Sequence, residues 1–326
     1  MKISNLKSQI SNLKFILKYY IIAGEASGDL HASNLMKAIL QKDINSEFRF
    51  WGGDLMEKVA NQKPVKHYKE LAFMGFLEVA MNIRTILKNI KLCKEDIKNY
   101  QPDVLVLVDY PGFNLRIAEF AKSIGIKVVY YISPQLWAWK EGRVETIKKY
   151  VEEMLVILPF EKDFYKKHQV NAHFVGHPLL DAISDLAPID AENFKKENGL
   201  NDKEIIALLP GSREQEVEKM LSLMLSVRDY FKNYQFVIAG APSLPKEFYQ
   251  KFVDDDVHFV SNKTYDLLRC SKAALVTSGT ATLETALLNV PEIVCYRTST
   301  ISYEIGKRVV KNIKFISLVN LIMDRE

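Results

Sequence analysis

Cysteine is scarce: three in 326 residues, Cys93, Cys270 and Cys295, widely separated and in no CxxC pair. This excludes a disulfide framework and the common cysteine metal sites, and favours a reducing compartment. No apolar run approaches the roughly 20 residues needed to span a bilayer. The six histidines show no HExxH or other ligand spacing. A strong charge of one sign is also lacking. Lys+Arg 44 against Asp+Glu 40 leaves +4, too little to argue for nucleic acid but compatible with an anionic membrane surface or a phosphorylated substrate. The start is a poor fit to a secretory signal as well, because Phe15-Ile16-Leu17 is too short an apolar core and no A-x-A site follows it.

What is present is the composition of a soluble globular protein, 48% hydrophobic and 26% charged. At roughly 100–200 residues per domain, two domains are expected. Residues 1–18 repeat Ile-Ser-Asn-Leu-Lys at 3–7 and 10–14 and read as a disordered extension. From Tyr19 onward, short apolar runs alternate with helical patterns, at 19–23, 48–51, 104–108, 128–132 and 154–158, then 205–209, 236–239, 257–260, 273–276 and 293–296. Continuous apolar strands separated by helices predict α/β domains with parallel sheets covered on both faces. The chain turns polar and acidic after His177-Pro178, so the domains are expected at 19–181 and 182–326, facing across a cleft. Ligands in such folds bind beyond the carboxyl ends of the strands.

The motifs sit there. Gly24-Glu25-Ala26-Ser27-Gly28-Asp29 follows the first strand. Small residues admit a ligand to the backbone and a helix start favours anions, while a tight turn with Asp29 as N-cap accounts for the same residues. Asp109-Tyr110-Pro111-Gly112-Phe113-Asn114 puts a carboxylate at a strand tip. There it can take a proton from a hydroxyl or stabilise a turn before Pro-Gly. In Pro210-Gly211-Ser212-Arg213, Ser212 and Gln215 fit a capping box, which puts Arg213 in the first helical turn. A cation there opposes the helix dipole, and a diphosphate ligand would justify it. Ser278-Gly279-Thr280-Ala281-Thr282-Leu283-Glu284 offers backbone N–H groups as a phosphate cradle, with Glu284 in reach of a ribose. For the last two segments a plain capped, charged helix and a small-residue helix start with a surface Glu account for the same residues.

Phe73, Phe76, Leu77, Ala80 and Met81 recur at helical spacing, and Ile83, Ile86, Leu87 and Ile90 continue the stripe. With Arg84, Lys88, Lys91 and Lys94 nearby, it suits an interfacial helix or an ordinary core-facing one. Ser133-Pro134-Gln135-Leu136-Trp137-Ala138-Trp139-Lys140 has two close tryptophans that pack in the core or line the cleft. Asp254-Asp255-Asp256 precedes a strand, where metal-binding acidic motifs of transferases follow one, and reads as a solvated turn.

In order, GEASGDLH (24–31), MGFLEV (74–79), DYPGFN (109–114), SPQLWAWK (133–140), LPFE (158–161), GHPLLD (176–181), PGSR (210–213), GTATLE (279–284) and SLVNLI (317–322) resemble the lipid-A-disaccharide synthases. The resemblance implies a GT-B fold, two Rossmann-like domains facing across a cleft. It implies inverting transfer of 2,3-diacylglucosamine from its UDP donor to 2,3-diacylglucosamine 1-phosphate. It further implies Asp109 as catalytic base, and Arg213, Gly279, Thr280, Glu284 and Asn320 as the UDP site. Glu25, Ser27, Asp29, His31 and Gln135 would face the acceptor; Phe73, Met74, Phe76, Leu77, Arg84 and Lys88 would meet lipid. No metal or other cofactor and no nucleic acid are expected, and the location implied is cytoplasmic, peripheral to the inner membrane.

The chain departs from the family pattern at Ala32, Gly112 and Val319, where Gly, an acid and Pro are usual. It stops at Asp324-Arg325-Glu326, where family members continue by several dozen residues, so the second domain reads as truncated. Two alternatives stay open: an enzyme like the UDP-GlcNAc 2-epimerases, and a non-catalytic nucleotide-sugar or lipid-binding module.

Overall fold

The apolar runs form strands whose alternate side chains are buried on opposite faces. In the first, Tyr20 and Ile22 enter one core cluster while Ile21 and Ala23 enter another. Ile205, Ala207 and Leu209 likewise oppose Ile206 and Leu208 in the second half. Both faces being covered explains why these strands carry no polar alternation. Each such leucine or isoleucine side chain contributes roughly 1.5–3 kcal/mol on full burial.

The computed structural model describes residues 16–71, 83–138, 141–242, 244–253, 257–297, 315 and 317–325. Phe73, Met74, Phe76 and Leu77, the expected extension up to residue 15, Trp139, Lys140 and Asp254-Asp255-Asp256 lie outside these residues.

Two units divide between Gly176 and His177. In the first the strands are β1 (Lys18–Ala23), β2 (Glu47–Gly52), β3 (Lys66–His67), β4 (Val104–Val108), β5 (Lys127–Tyr131), β6 (Glu153–Val156) and β7 (Ala172–Phe174). They form one sheet in the order β3-β2-β1-β4-β5-β6-β7, with every pairing parallel. Its helices are α1 (Ala26–Lys42), α2 (Asp54–Ala60), α3 (Ile83–Tyr100), α4 (Pro111–Ser123), α5 (Val144–Tyr150) and α6 (Pro159–Lys167).

The second unit carries α7 (Pro178–Ser184), α8 (Ala191–Glu197), α9 (Glu214–Leu225), α10 (Lys246–Gln250), α11 (Thr264–Arg269), α12 (Thr280–Leu287) and α13 (Leu318–Met323). Its parallel sheet comprises β8 (Glu204–Leu209), β9 (Tyr234–Gly240), β10 (His258–Ser261), β11 (Ser271–Thr277) and β12 (Glu292–Cys295), ordered β10-β9-β8-β11-β12. The division falls ahead of α7, not after residue 181. His177 caps that helix, its Nδ1 accepting Leu179 N–H at 3.2 Å, and α7 packs against α12. The polar, acidic stretch begins only at Ala182, inside this helix, which is why composition alone sets the boundary late.

Both sheets reverse direction at one place. In the first unit the chain leaves β1 toward β2 and β3, then crosses to β4 on the other side. In the second it leaves β8 toward β9 and β10, then crosses to β11. Such switch points open a crevice at the carboxyl ends of the two central strands. β1 with β4 and β8 with β11 are therefore where a ligand is expected.

Candidate functional site

In the first unit three loops leave adjacent strand tips. Ala23 is paired with Val108, and Val108 with Tyr131. Glu25, Asp109 and Gln135 thus follow neighbouring strands at and beside the switch point. Gly24 lies against the Tyr110 ring, and a Cβ there would come within 2.4 Å of it. Glycine is needed at that position to let the two loops approach.

Asp109 and Tyr110 both have left-handed backbone conformations, φ 44° and 48°. For non-glycine residues this costs about 1–2 kcal/mol each. Two side chains hold the turn. The Asp109 carbonyl accepts the Tyr130 hydroxyl at 2.5 Å and Asn114 Nδ2 at 2.7 Å. Asn114 Nδ2 also donates to the Val108 carbonyl at 3.2 Å. Burial pushes the Tyr130 phenol far above its ordinary range, so it stays a donor. Pro111 at the first position of α4, with φ preset for a helix, fixes the exit.

The Asp109 carboxyl is pushed up to about 7, first by desolvation and then by the nearby Glu25 carboxylate; the Tyr110 N–H opposes the rise. Its surface is nevertheless open to solvent. Surrounding protein at longer range raises the pKa while water still reaches the oxygens and screens part of the effect. The direction of the rise is what the chemistry uses: a carboxylate that titrates nearer neutrality is a better base than an ordinary one.

Of the other residues assigned to the acceptor, Ser27 and Gln135 are exposed and Glu25 is half-buried. Asp29 and His31 are buried, 2% and 6% exposed. Asp29 is not the N-cap of its own helix; Glu25 holds that position. Its carboxylate accepts the backbone N–H groups of Gly53 at 2.7 Å, Leu55 at 3.0 Å and Met56 at 3.2 Å, closing the start of α2 from α1.

The Ser133–Trp137 stretch is fastened from below by α6. Ser133 Oγ meets the Tyr165 hydroxyl at 2.8 Å, and Trp137 Nε1 donates to Glu161 at 3.3 Å. Glu161 is 1% exposed and also accepts the Leu158 and Ile157 N–H groups. Burial pushes its carboxyl up to about 7, against these donors. The LPFE and SPQLWAWK motifs thus meet in one buried cluster. Glu161 at the third position of a Pro-started helix was a local capping signal; the contact with Trp137 was not.

In the second unit the PGSR and SGT loops leave β8 and β11, which are paired through Leu209 and Val276. The helix after PGSR starts at Glu214, one residue later than a Ser212–Gln215 capping box requires, so Arg213 is the N-cap. Glu216 takes the capping role instead. It accepts Ser212 N–H at 3.1 Å and pairs with Arg213 at 3.1 Å. Gly211, at φ 117°, permits this fold-back, since a Cβ there would meet the Glu216 carboxylate at 2.6 Å. Arg213 itself is exposed, its side chain 51% accessible.

Gly279 precedes α12, and a Cβ on it would meet nothing within 4 Å. The first N–H groups of a helix have no intrahelical acceptor, so this exposed start can receive an anion. Glu284 stands one turn further on. Tyr265 donates its hydroxyl to Glu284 Oε1 at 2.9 Å, and burial raises the carboxyl above its ordinary value. Tyr265 lies on α11, and nothing local in the sequence signalled the contact. Asn320 sits on α13, which packs against α12. Its Nδ2 donates to the Arg325 carbonyl at 2.9 Å.

Arg84 and Lys88 are exposed on α3, beside Ile83 and Leu87, 47% and 57% exposed. The expected stripe continues only in part: Ile90, Cys93 and Ile97 are buried, whereas Ile83 and Leu87 are not. Asp96 ties the inner half of α3 down, accepting Tyr20 Oη at 2.7 Å and both Arg49 Nε and Nη2. Among the described residues no helix is long and apolar enough to cross a membrane.

Comparison with known proteins decides between the readings. The model of the Lipid-A-disaccharide synthetase family matches residues 19–326. The lipid-A-disaccharide synthase of Syntrophus aciditrophicus (strain SB) is 41% identical over 320 residues, 95% of this chain and 82% of that protein. The chain belongs to the lipid-A-disaccharide synthetase family. It is accordingly an enzyme, a glycosyltransferase of lipid A biosynthesis. The synthases of Geobacter metallireducens and Coxiella burnetii (strain Dugway 5J108-111) are 38% and 37% identical, each over 93% of this chain and 80% and 81% of their own lengths. Solved structures share the fold at much lower identity. UDP-GlcNAc 2-epimerase from Neisseria meningitidis bound to UDP-GlcNAc has a TM-score of 0.61 at 15% identity, covering 94% of this chain and 90% of its own. The S. aureus MnaA–UDP structure has a TM-score of 0.65 at 14% identity, over 95% and 87%. These likenesses show the GT-B fold alone; the epimerase reading of the activity gives way to the sequence relatives.

Proposed function

We propose that the chain transfers 2,3-diacylglucosamine from its UDP donor to the 6-hydroxyl of 2,3-diacylglucosamine 1-phosphate, releasing UDP and a β-1,6-linked disaccharide 1-phosphate. The observation that carries the reading is Asp109 at the tip of β4, held in a strained turn with its carboxyl pushed up to about 7. The acceptor hydroxyl loses its proton to Asp109, directly or through water. The oxygen attacks the anomeric carbon from the face opposite the diphosphate, and the bond to UDP breaks. Negative charge grows on the leaving diphosphate. Arg213 and the N–H groups at the start of α12 would stabilise it. Glu284, oriented by Tyr265, would accept the ribose hydroxyls, and Asn320 would help fix the nucleotide. The reading assigns no step to a metal or cofactor. Glu25, Ser27 and Gln135 would border the acceptor.

The same reading has the enzyme working peripherally on the inner membrane, in the cytoplasm, with Arg84 and Lys88 beside anionic headgroups. Exposure of these cations next to Ile83 and Leu87 supports it. The decisive test of the catalytic reading is Asp109→Asn. UDP binding should persist while turnover falls roughly 10²–10⁴-fold, the usual weight of general-base catalysis. Turnover close to that of the parent enzyme would remove Asp109 from the mechanism.

A further inference from the structure

The Asp109 turn cannot hold itself. Two consecutive non-glycine residues stand in the left-handed region, at φ 44° and 48°. Such conformations persist only where the surroundings over-determine them. Here the surroundings are two donors on a single acceptor, the Asp109 carbonyl: Tyr130 Oη at 2.5 Å and Asn114 Nδ2 at 2.7 Å. They come from different elements, β5 and α4, and both side chains' residues are 0% exposed. Tyr130 is packed in the core with Phe113, Leu115 and Ile117, so its hydroxyl has little freedom to follow a relaxing turn.

We propose that Tyr130 is a positioning residue for the transfer reaction, acting through the Asp109 backbone to aim the Asp109 carboxylate. The proposal rests on Asp109 being the base. It extends that reading to a buried residue that contacts no substrate. The charged and titratable groups around the pair are Glu25 and Tyr110 beside Asp109, and Tyr165 and Arg143 beside Tyr130. With the Tyr130 bond gone, the strained turn relaxes. Asp109 then moves away from the surrounding protein and from Glu25, the two causes of its raised carboxyl. Both changes lower its pKa, and a misplacement on the order of 1 Å is enough to cost up to about 100-fold in rate.

The experiment is a double-mutant cycle on the full chain: parent, Tyr130→Phe, Asp109→Asn and the double variant. Steady-state kinetics are followed from pH 5 to 9, with a thermal melt for each protein. Tyr130→Phe is expected to lower kcat on the order of 10-fold and leave KM for both substrates within about twofold. The acid limb of the kcat profile should move to lower pH. In the Asp109→Asn background the same substitution should cost nothing further, because the group it aims is gone. An unchanged kcat and limb in Tyr130→Phe overturns the proposal. So does an additive loss in the double variant, which marks a general structural defect. If Asp109→Asn alone keeps parent turnover, the base assignment fails, and that outcome is read separately from the cycle. Should Tyr130→Phe not fold, Asn114→Ala removes the other donor to the same carbonyl and must show the same limb shift, or the proposal falls.

Discussion

Replacing Asp29 with alanine separates a structural role from a binding one. The Asp29 carboxylate accepts three backbone N–H groups at 2.7, 3.0 and 3.2 Å, and two of those bonds are buried. Gly52 and Gly53 let the backbone come this close; a Cβ on Gly53 would meet Asp29 Oδ2 at 2.8 Å. Losing a cap costs roughly 0.5–2 kcal/mol. Each buried donor left without an acceptor adds about 1–3 kcal/mol. Water can repair the part-buried third. The sum is about 4 kcal/mol for Asp29→Ala. With a urea slope near 2 kcal/mol per M, the midpoint of the first unit should fall by about 2 M. The assay is urea unfolding followed by tyrosine and tryptophan fluorescence, with UDP binding measured alongside. UDP affinity should be unchanged in native buffer, because the UDP residues belong to the other unit. Asp29→Asn keeps one acceptor oxygen and should lose less. A midpoint within about 0.5 M of the parent, together with a raised KM for the acceptor sugar, would refute the capping account and return Asp29 to the acceptor site.

Arg213→Ala and Glu284→Ala should each weaken UDP binding roughly 10-fold by calorimetry, the size of one charge-assisted contact; if both bind like the parent, the nucleotide lies elsewhere. Asp109→Asn should raise the melting temperature at pH 8 by about 2–4 °C, corresponding to about 1 kcal/mol once solvent screening is allowed for. The sign follows from a folded-state carboxyl raised to about 7 over an unfolded value near 3.9. The ionised group opposes folding increasingly as pH rises between those values, so the gain should vanish as pH falls toward about 4. An equal gain at both pH values would contradict the raised carboxyl. Neutralising Arg84 and Lys88 to Gln should weaken sedimentation with anionic vesicles roughly 30-fold, from about 1 kcal/mol per basic residue at such a surface; unchanged sedimentation would rule out α3 as the contact.

Much of the fold was legible in the chain because its signals are local. Ten apolar runs marked ten strands, and in the central ones, such as β1, β4 and β8, burial on both faces requires nearly every residue to be apolar. β3 and β7 escaped notice. They are edge strands of two and three residues, Lys66–His67 and Ala172–Phe174, too short to make an apolar run, and of their residues only Ala172 is buried. The loops at the switch points were also legible, because glycine and proline announce turns and parallel strands place turns at one end. Their roles were less so. Asp29 looked the same on paper as Ser27, yet one is buried under three N–H donors and the other is exposed. Arg213 was expected inside its helix; Glu216, four residues beyond Ser212, took the capping position that Gln215 seemed to fit.

By itself, then, the sequence determined the alternation of strands and helices, the parallel sheets and the family, since all three are written in patterns of neighbouring residues. Tertiary structure decided which motif residues touch. Tyr130 reaches Asp109 across 21 positions, Tyr265 reaches Glu284 across 19, and Trp137 reaches Glu161 across 24. Such pairings follow from strand order and helix packing, and hydrogen bonds between side chains that distant leave no periodic trace along the chain.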